Sequence, residues 1–241
     1  MAEQRPESDT LVVVFGKPAV PGRVKTRLAE GIGEEAAAEG YRAFFCDVVE
    51  MAGRVCRDRG WELALAWPGE AQDPLAAFAV DTAAARLVPQ GPGHIGERME
   101  RAIARGLERG YSRVIIIGSD SPSLGEKHLV EAQEALNERD LVFGPSFDGG
   151  YYLVGCIGRG SWRSIFEDIS WSTPRVMGET LRRAREGDLL YELLEFWYDI
   201  DRPEDLAVAR YHLLEYMGRG RSSRARRTRA WLEGLESKLV D

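Results

Sequence analysis

Four cations crowd into eleven residues early in the chain: Lys17, Arg23, Lys25 and Arg27. Among them stand Gly16, Pro18, Pro21 and Gly22, which fix an irregular backbone. A di- or triphosphate is held by this combination, in which close-approaching N–H groups bind the oxygens and cations neutralise them. The stretch is neither Gly-x-x-x-x-Gly-Lys-Ser/Thr nor Gly-x-Gly-x-x-Gly, and a solvated basic turn is the competing reading. Its position decides for phosphate. It follows Leu11-Val-Val-Val-Phe15, a β-branched apolar run that reads as a buried parallel strand, and ligands of open α/β sheets bind outside the carboxyl ends of such strands.

Gly118-Ser119-Asp120 closes a second apolar run, Arg113-Val-Ile-Ile-Ile117. A carboxylate at that edge suits Mg²⁺ or Mn²⁺, which would clamp phosphate oxygens, although a turn aspartate ahead of Pro122 is the plainer alternative. The partner carboxylate is sought in Tyr198-Asp199-Ile200-Asp201-Arg202-Pro203-Glu204-Asp205. Asp199 and Asp201 flank Ile200, and one of the two is expected to face the ion. Asp201 competes as an N-cap of the following helix, with Glu204 at capping-box spacing. Phe147-Asp148-Gly149-Gly150-Tyr151-Tyr152 reads as a tight turn entering a strand. Its glycines allow close approach to a ligand and its tyrosines could stack on a base or sugar, unless it is simply an Asp-Gly hairpin. Arg98 falls in the first turn of a helix after the glycine-rich loop that carries His94. No Ser or Cys motif partners that histidine, which reads as a loop residue, and His128 and His212 read as structural.

The elements that must position these groups alternate. Strands are predicted at 11–15, 61–67, 86–88, 113–118, 141–143, 151–156 and 189–198. Helices are predicted at 34–55, 97–108, from Ser123-Leu-Gly-Glu126 to about 137, after Thr173-Pro174 to about 185, and at 203–216. Such alternation implies right-handed crossovers and a mostly parallel sheet covered on both faces.

At 241 residues one large domain is expected, or one domain with a small appendage. The boundaries read as a disordered tail at 1–10, a nucleotide-binding domain at 11–217 and a basic helical appendage at 218–241. The net charge of −7 disfavours a general nucleic-acid binder. The six arginines in eleven residues at 219–229 read as a solvated helical face, with an RNA or membrane-surface contact as the alternative. No window is apolar enough for a membrane span, and residues 1–10 lack the apolar core of a signal peptide. Three cysteines without Cys-x-x-Cys spacing argue against a disulfide framework or a thiolate zinc site, so a cytoplasmic setting is expected.

Phe15-Gly-Lys-Pro-x-x-Pro-Gly-x-x-Lys-Thr-Arg-Leu28, Gly118-Ser-Asp-x-Pro122, Asp148-Gly-Gly-Tyr-Tyr152, Trp171-Ser-Thr-Pro174 and Asp199-Ile-Asp-x-Pro-Glu-Asp-Leu206 occur in this order. Together they resemble the bacterial radical-SAM/selenodomain-associated transferase family, often labelled a glycosyltransferase. That family is similar to the molybdenum-cofactor and 2-phospholactate guanylyltransferases. The resemblance implies a Rossmann-like GT-A fold, the nucleotide-diphospho-sugar transferase three-layer α/β sandwich. Two departures stand out. The glycine-rich Gly-x-Gly/Ser-x-Arg loop of the wider superfamily is replaced by the Lys-Pro/Pro-Gly version. Where GT-A glycosyltransferases carry Asp-x-Asp, Ser119 is followed by a lone Asp120.

The resulting expectation is a transferase that uses an NTP or an NDP-sugar with a small-molecule acceptor. Nucleotidyl transfer with pyrophosphate release is favoured; glycosyl transfer and a non-catalytic nucleotide-binding protein are the alternatives. Phosphate binding is assigned to Gly16, Lys17, Pro21, Gly22, Arg23, Lys25 and Arg27. Catalysis is assigned to Lys25 and Asp120, and substrate contacts to Arg98, Asp148, Gly149, Gly150 and Tyr151. Mg²⁺ or Mn²⁺ is assigned to Asp120 with Asp201 or Asp199.

Overall fold

The computed structural model describes residues 8–69, 85–216 and 224–239. Residues 1–7 of the expected tail, and Arg219 and Arg221 of the arginine-rich segment, lie outside the described residues. Among the described residues seven strands form one sheet: β1 (Thr10–Phe15), β2 (Glu62–Trp67), β3 (Ala85–Pro89), β4 (Arg113–Ile117), β5 (Leu141–Pro145), β6 (Tyr151–Cys156) and β7 (Tyr191–Leu193). Their order is β3-β2-β1-β4-β6-β5-β7. Only β6 runs antiparallel to its two neighbours. The expected mostly parallel α/β sheet is therefore present.

Every residue of β1 is buried, as a central strand covered on both faces requires. Its side chains alternate between layers. Val12 and Val14 enter the core beneath α2 (Glu34–Arg59), while Leu11, Val13 and Phe15 enter the opposite core with Met99 and Ile103. Those two residues belong to the next helix, α3 (Ile95–Glu108). The helix α4 (Glu126–Ala135) lies with α2, and α5 (Val176–Glu186) lies with α3, which completes three layers.

A third apolar cluster fastens the site end of the molecule. It joins Leu28 of α1 (Thr26–Ile32), Phe44 of α2, Leu206 of α6 (Asp205–Arg210) and Leu232 of α7 (Arg226–Leu239). A π-helical turn, Tyr211–Tyr216, extends α6. Helix α7 seats on α2 at Gly40, where a Cβ would come within 2.5 Å of the Trp231 ring. Asp47 of α2, itself buried, caps α7 from outside: it accepts from the N–H of Arg227 at 3.1 Å and of Thr228 at 2.7 Å. It also accepts from the Thr228 hydroxyl at 2.7 Å.

Several elements depart from expectation. The expected strand 189–198 shrinks to Tyr191–Leu193 because β7 is an edge strand with one neighbour, and only an isolated bridge from Trp197 to Ser146 continues it. Ser123 does not cap α4; its Oγ accepts from Trp197 Nε1 at 2.9 Å, and His128 Nδ1 takes the Gly125 N–H at 3.1 Å instead. Helix α5 starts two residues after Pro174, whose backbone packs on Gly149. Helix α1, not anticipated from the sequence, begins directly after Lys25.

Candidate active site

Strand order sets the location. β1 lies between β2 and β4, and the reversal of strand order beside it opens a crevice at the strands' carboxyl ends. A cavity of about 360 Å³ opens there, lined by Gly16 and Lys17 after β1, Gly118 to Asp120 after β4, and Arg98 and Met99 of α3. Because β6 runs backwards, its first residue, Tyr151, also reaches this edge and lines the cavity.

Lys25 is the pivot of the mouth. Its backbone takes the left-handed conformation, φ 49° and ψ 41°, which costs a non-glycine residue of the order of 1 kcal/mol. The side chain turns inward and is only 3% exposed. Its ammonium lies 2.5 Å from Asp120 Oδ1 and donates to Asp201 Oδ1. Burial opposes the charge on Lys25, but the two carboxylates outweigh it and hold the ammonium protonated well above the usual lysine range. Burial likewise opposes the charge on Asp201, and Lys25, with Lys17 and Arg27 beyond it, keeps that carboxylate ionised below the usual range. Both aspartates remain 40% exposed, and Asp120 also lines the cavity.

Asp199 and Asp201 part company across buried Ile200. The Ile200 N–H donates to Asp120 O at 2.9 Å, pinning this segment to the loop after β4. Asp199 accepts from the Ser121 hydroxyl. Burial, then the charge of Asp120, pushes its carboxyl up to about 7. Asp201 does not cap α6; Asp205 accepts from the N–H groups of Asp201 and Arg202, at 2.8 and 2.7 Å, and leaves Asp201 free to meet Lys25.

The remaining loop cations, Lys17, Arg23 and Arg27, are exposed. Among the described residues none of the three forms an ion pair. The Lys17 N–H donates to Tyr41 Oη at 3.0 Å, and that hydroxyl meets Ser119 Oγ at 3.0 Å. Tyr41 thus ties the phosphate-loop candidate to the loop after β4 that carries Asp120. Gly16 is demanded by packing, since a Cβ there would lie 2.3 Å from the Phe45 ring. Pro21 and Gly22 form the exposed turn ahead of Arg23, with Gly22 at φ 72°.

Arg98 lines the cavity, its Nε donating to Gly93 O at 2.7 Å and its Nη1 to Gln90 Oε1 at 3.3 Å. His94 caps α3 in a reciprocal box with Glu97. The Asp148 turn lies off the cavity. Asp148 Oδ1 accepts from Ser146 Oγ and from the Gly150 N–H at 2.9 Å, and Gly149, at φ 89°, packs so closely that a Cβ would sit 2.3 Å from Pro174 O. Of that motif only Tyr151 and Tyr152 reach the lining. Sequence reasoning missed Tyr41, Ser119 and Gln90 as site-framing residues. Gln90 Nε2 donates to Gly16 O and Ala66 O at 2.8 and 2.9 Å, which holds the ends of β1 and β2.

A divalent cation is a reasonable guest for the mouth. Asp120 and Asp201 approach one point from two loops, and hard carboxylate oxygens so placed suit Mg²⁺ or Mn²⁺, with water and phosphate completing the shell. Among the described residues, no group of three or more His, Cys, Asp or Glu is gathered to hold a metal alone. No helix among them is long and apolar enough to cross a membrane.

Comparison with known proteins agrees with this architecture. A crystal structure of a candidate nucleotide-diphospho-sugar transferase from Desulfovibrio desulfuricans G20 superposes with a TM-score of 0.83 at 31% identity, covering 95% of this chain and 96% of that one. At 11% identity, 4-diphosphocytidyl-2C-methyl-D-erythritol synthase from Anaerococcus prevotii DSM 20548 shares the fold, with a TM-score of 0.56 over 86% of this chain and 99% of that chain. Glucosyl-3-phosphoglycerate synthase from Mycobacterium tuberculosis, solved with Mn²⁺, UDP and glucosyl-3-phosphoglycerate, shares it at 14% identity and a TM-score of 0.50, over 88% and 81% of the two chains. Comparison with curated proteins returns no match. The model of a bacterial family described as uncharacterised, DUF2064, matches residues 51–173. The chain belongs to the DUF2064 family and has the nucleotide-diphospho-sugar transferase fold.

Proposed function

We propose that this protein is a nucleotidyltransferase that passes a nucleoside monophosphate from an NTP to a small phosphate- or carboxylate-bearing acceptor. The observation that carries this reading is the Lys25–Asp120–Asp201 cluster, whose Asp120 lines the cavity, beside a loop whose other three cations are exposed and, among the described residues, free of ion pairs. Three formal positive charges on Lys17, Arg23 and Arg27 match a triphosphate better than the diphosphate of an NDP-sugar. The nucleotide phosphates lie along Gly16 to Arg27, and the acceptor enters from the Arg98 and Tyr151 side.

An oxygen of the acceptor forms a bond to the α-phosphorus while the bond to the bridging oxygen of pyrophosphate breaks. A phosphate or carboxylate oxygen is already anionic, so the step moves no proton and needs no general base. The chain's part is positioning and charge neutralisation. Asp120 and Asp201 would hold Mg²⁺ or Mn²⁺, which when bound supplies Lewis-acid neutralisation of phosphate charge. The motif resemblance adds the radical-SAM/selenodomain-associated grouping to this proposal.

Glycosyl transfer from an NDP-sugar is the second reading, favoured by the name carried by the 31% identical structure. A panel of NTPs and NDP-sugars, with and without Mn²⁺, separates the two. Pyrophosphate release dependent on an acceptor supports the proposal. Release of NDP from an NDP-sugar replaces it with the second reading.

A further inference from the structure

We propose that Lys25 is a placeholder cation, which occupies the space between Asp120 and Asp201 in the nucleotide-free protein and must swing away before a divalent ion can enter. The inference rests on the reading of that carboxylate pair as the cation site. A single ammonium touches the inner oxygens of both carboxylates and is sealed beneath them, 3% exposed, with the Phe44 ring 5.8 Å below. A divalent ion bracketed by the same two oxygens would occupy the ammonium's own position. The two cations therefore exclude each other.

The chain also provides for the displacement. The lysine stem is four flexible carbons, anchored at a fixed point because the Lys25 carbonyl accepts the first α1 hydrogen bond, from the Ala29 N–H at 2.8 Å. The left-handed backbone aims the resting side chain inward, toward the carboxylates rather than the neighbouring exposed cations. A polyphosphate drawn to Lys17, Arg23 and Arg27 offers the ammonium an alternative anion outside. Nucleotide and metal then bind with mutual reinforcement, because each stabilises the state in which Lys25 has moved, and linkage makes the effect reciprocal. The free protein is a poor metal binder by construction.

The test uses Mn²⁺ alone, followed by the electron paramagnetic resonance signal of the unbound ion, on the full chain without nucleotide. Lys25→Met should bind Mn²⁺ at least tenfold more tightly than the wild type, and adding Asp120→Asn to that variant should abolish the gain. Equal or weaker Mn²⁺ binding by Lys25→Met overturns the placeholder role. A gain that survives Asp120→Asn overturns it too, by showing that the carboxylate pair is not the cation site, independently of whether any NTP turns over. In case the variant does not fold, the wild type carries a second measurement. Amine acylation read by mass spectrometry should leave Lys25 protected in metal-free protein and label it at saturating Mn²⁺; protection unchanged by Mn²⁺ overturns the proposal.

Discussion

Gly118 offers a way to separate the cavity from the fold. The residue follows β4, and its N–H donates to Tyr152 O at 3.1 Å. It lines the cavity, and a Cβ built there meets no atom within 4 Å. Its φ is not among the left-handed values, so a side chain adds no backbone strain. Gly118→Val should therefore fold as well as the wild type, with a gain of about 0.4–1 kcal/mol from a less flexible unfolded chain. The new methyls project into a space of about 360 Å³, which a ligand filling the site also needs. Inserting bulk into a fitted space costs about 1–3 kcal/mol, equivalent to roughly 5- to 150-fold in affinity. Gly118→Ala should fall between the wild type and valine. Isothermal titration with the nucleotide that turns over, paired with thermal unfolding, measures both quantities. Nucleotide affinity within twofold of the wild type in a folded Gly118→Val protein would refute this placement of the ligand.

Other expectations follow from single contacts. Asp47→Ala leaves the capped N–H groups of α7 without their buried acceptor and should cost about 1–3 kcal/mol in denaturant unfolding; a loss below 0.5 kcal/mol would show that α7 contributes little. Gly149→Ala forces φ 89° on a side-chain-bearing residue against Pro174 O, and a penalty of about 1–3 kcal/mol from strain alone is expected, visible as a lowered Tm. Burial pushes the Cys46 thiol up to about 11 and those of Cys56 and Cys156 up to about 12. Since thiolate is the reactive form, maleimide at pH 8 should label none of the three natively and all three in denaturant; labelling of any in the native protein contradicts their burial. Asp120→Ala should abolish the metal dependence of nucleotide binding measured by titration, and unchanged dependence would remove Asp120 from the cation site.

How much of this could be read from the residues depends on the range of the interaction. The five-residue run of β4 and the continuous burial of β1 are local statements, so both strands and the sheet class were legible. The seven-residue α1 was not, because it is too short to show periodicity and starts at a lysine in a conformation that favours glycine. The cation-rich loop and the two aspartates could each be singled out by type and position. Their meeting could not, since Lys25 and Asp201 lie 176 positions apart and only strand order brings them together. The Tyr41 hydroxyl illustrates the same limit. Spacing marks its ring as core, but its contacts with Lys17 and Ser119 are set by how α2 lies on the sheet.

The cap that Asp47 places on α7 has a consequence for biosynthesis. The two partners are separated by 181 positions, so the face of α2 around Gly40, Phe44 and Asp47 stays uncovered while most of the chain is being translated. During that interval the Asp47 carboxylate and the Phe44 ring, both buried in the folded protein, lack the cover of α7. The nascent protein is thus exposed to chaperone capture, or to association with other incomplete chains, until α7 emerges and docks. Ribosome-stalled chains that stop short of residue 226 should be the form most dependent on such help.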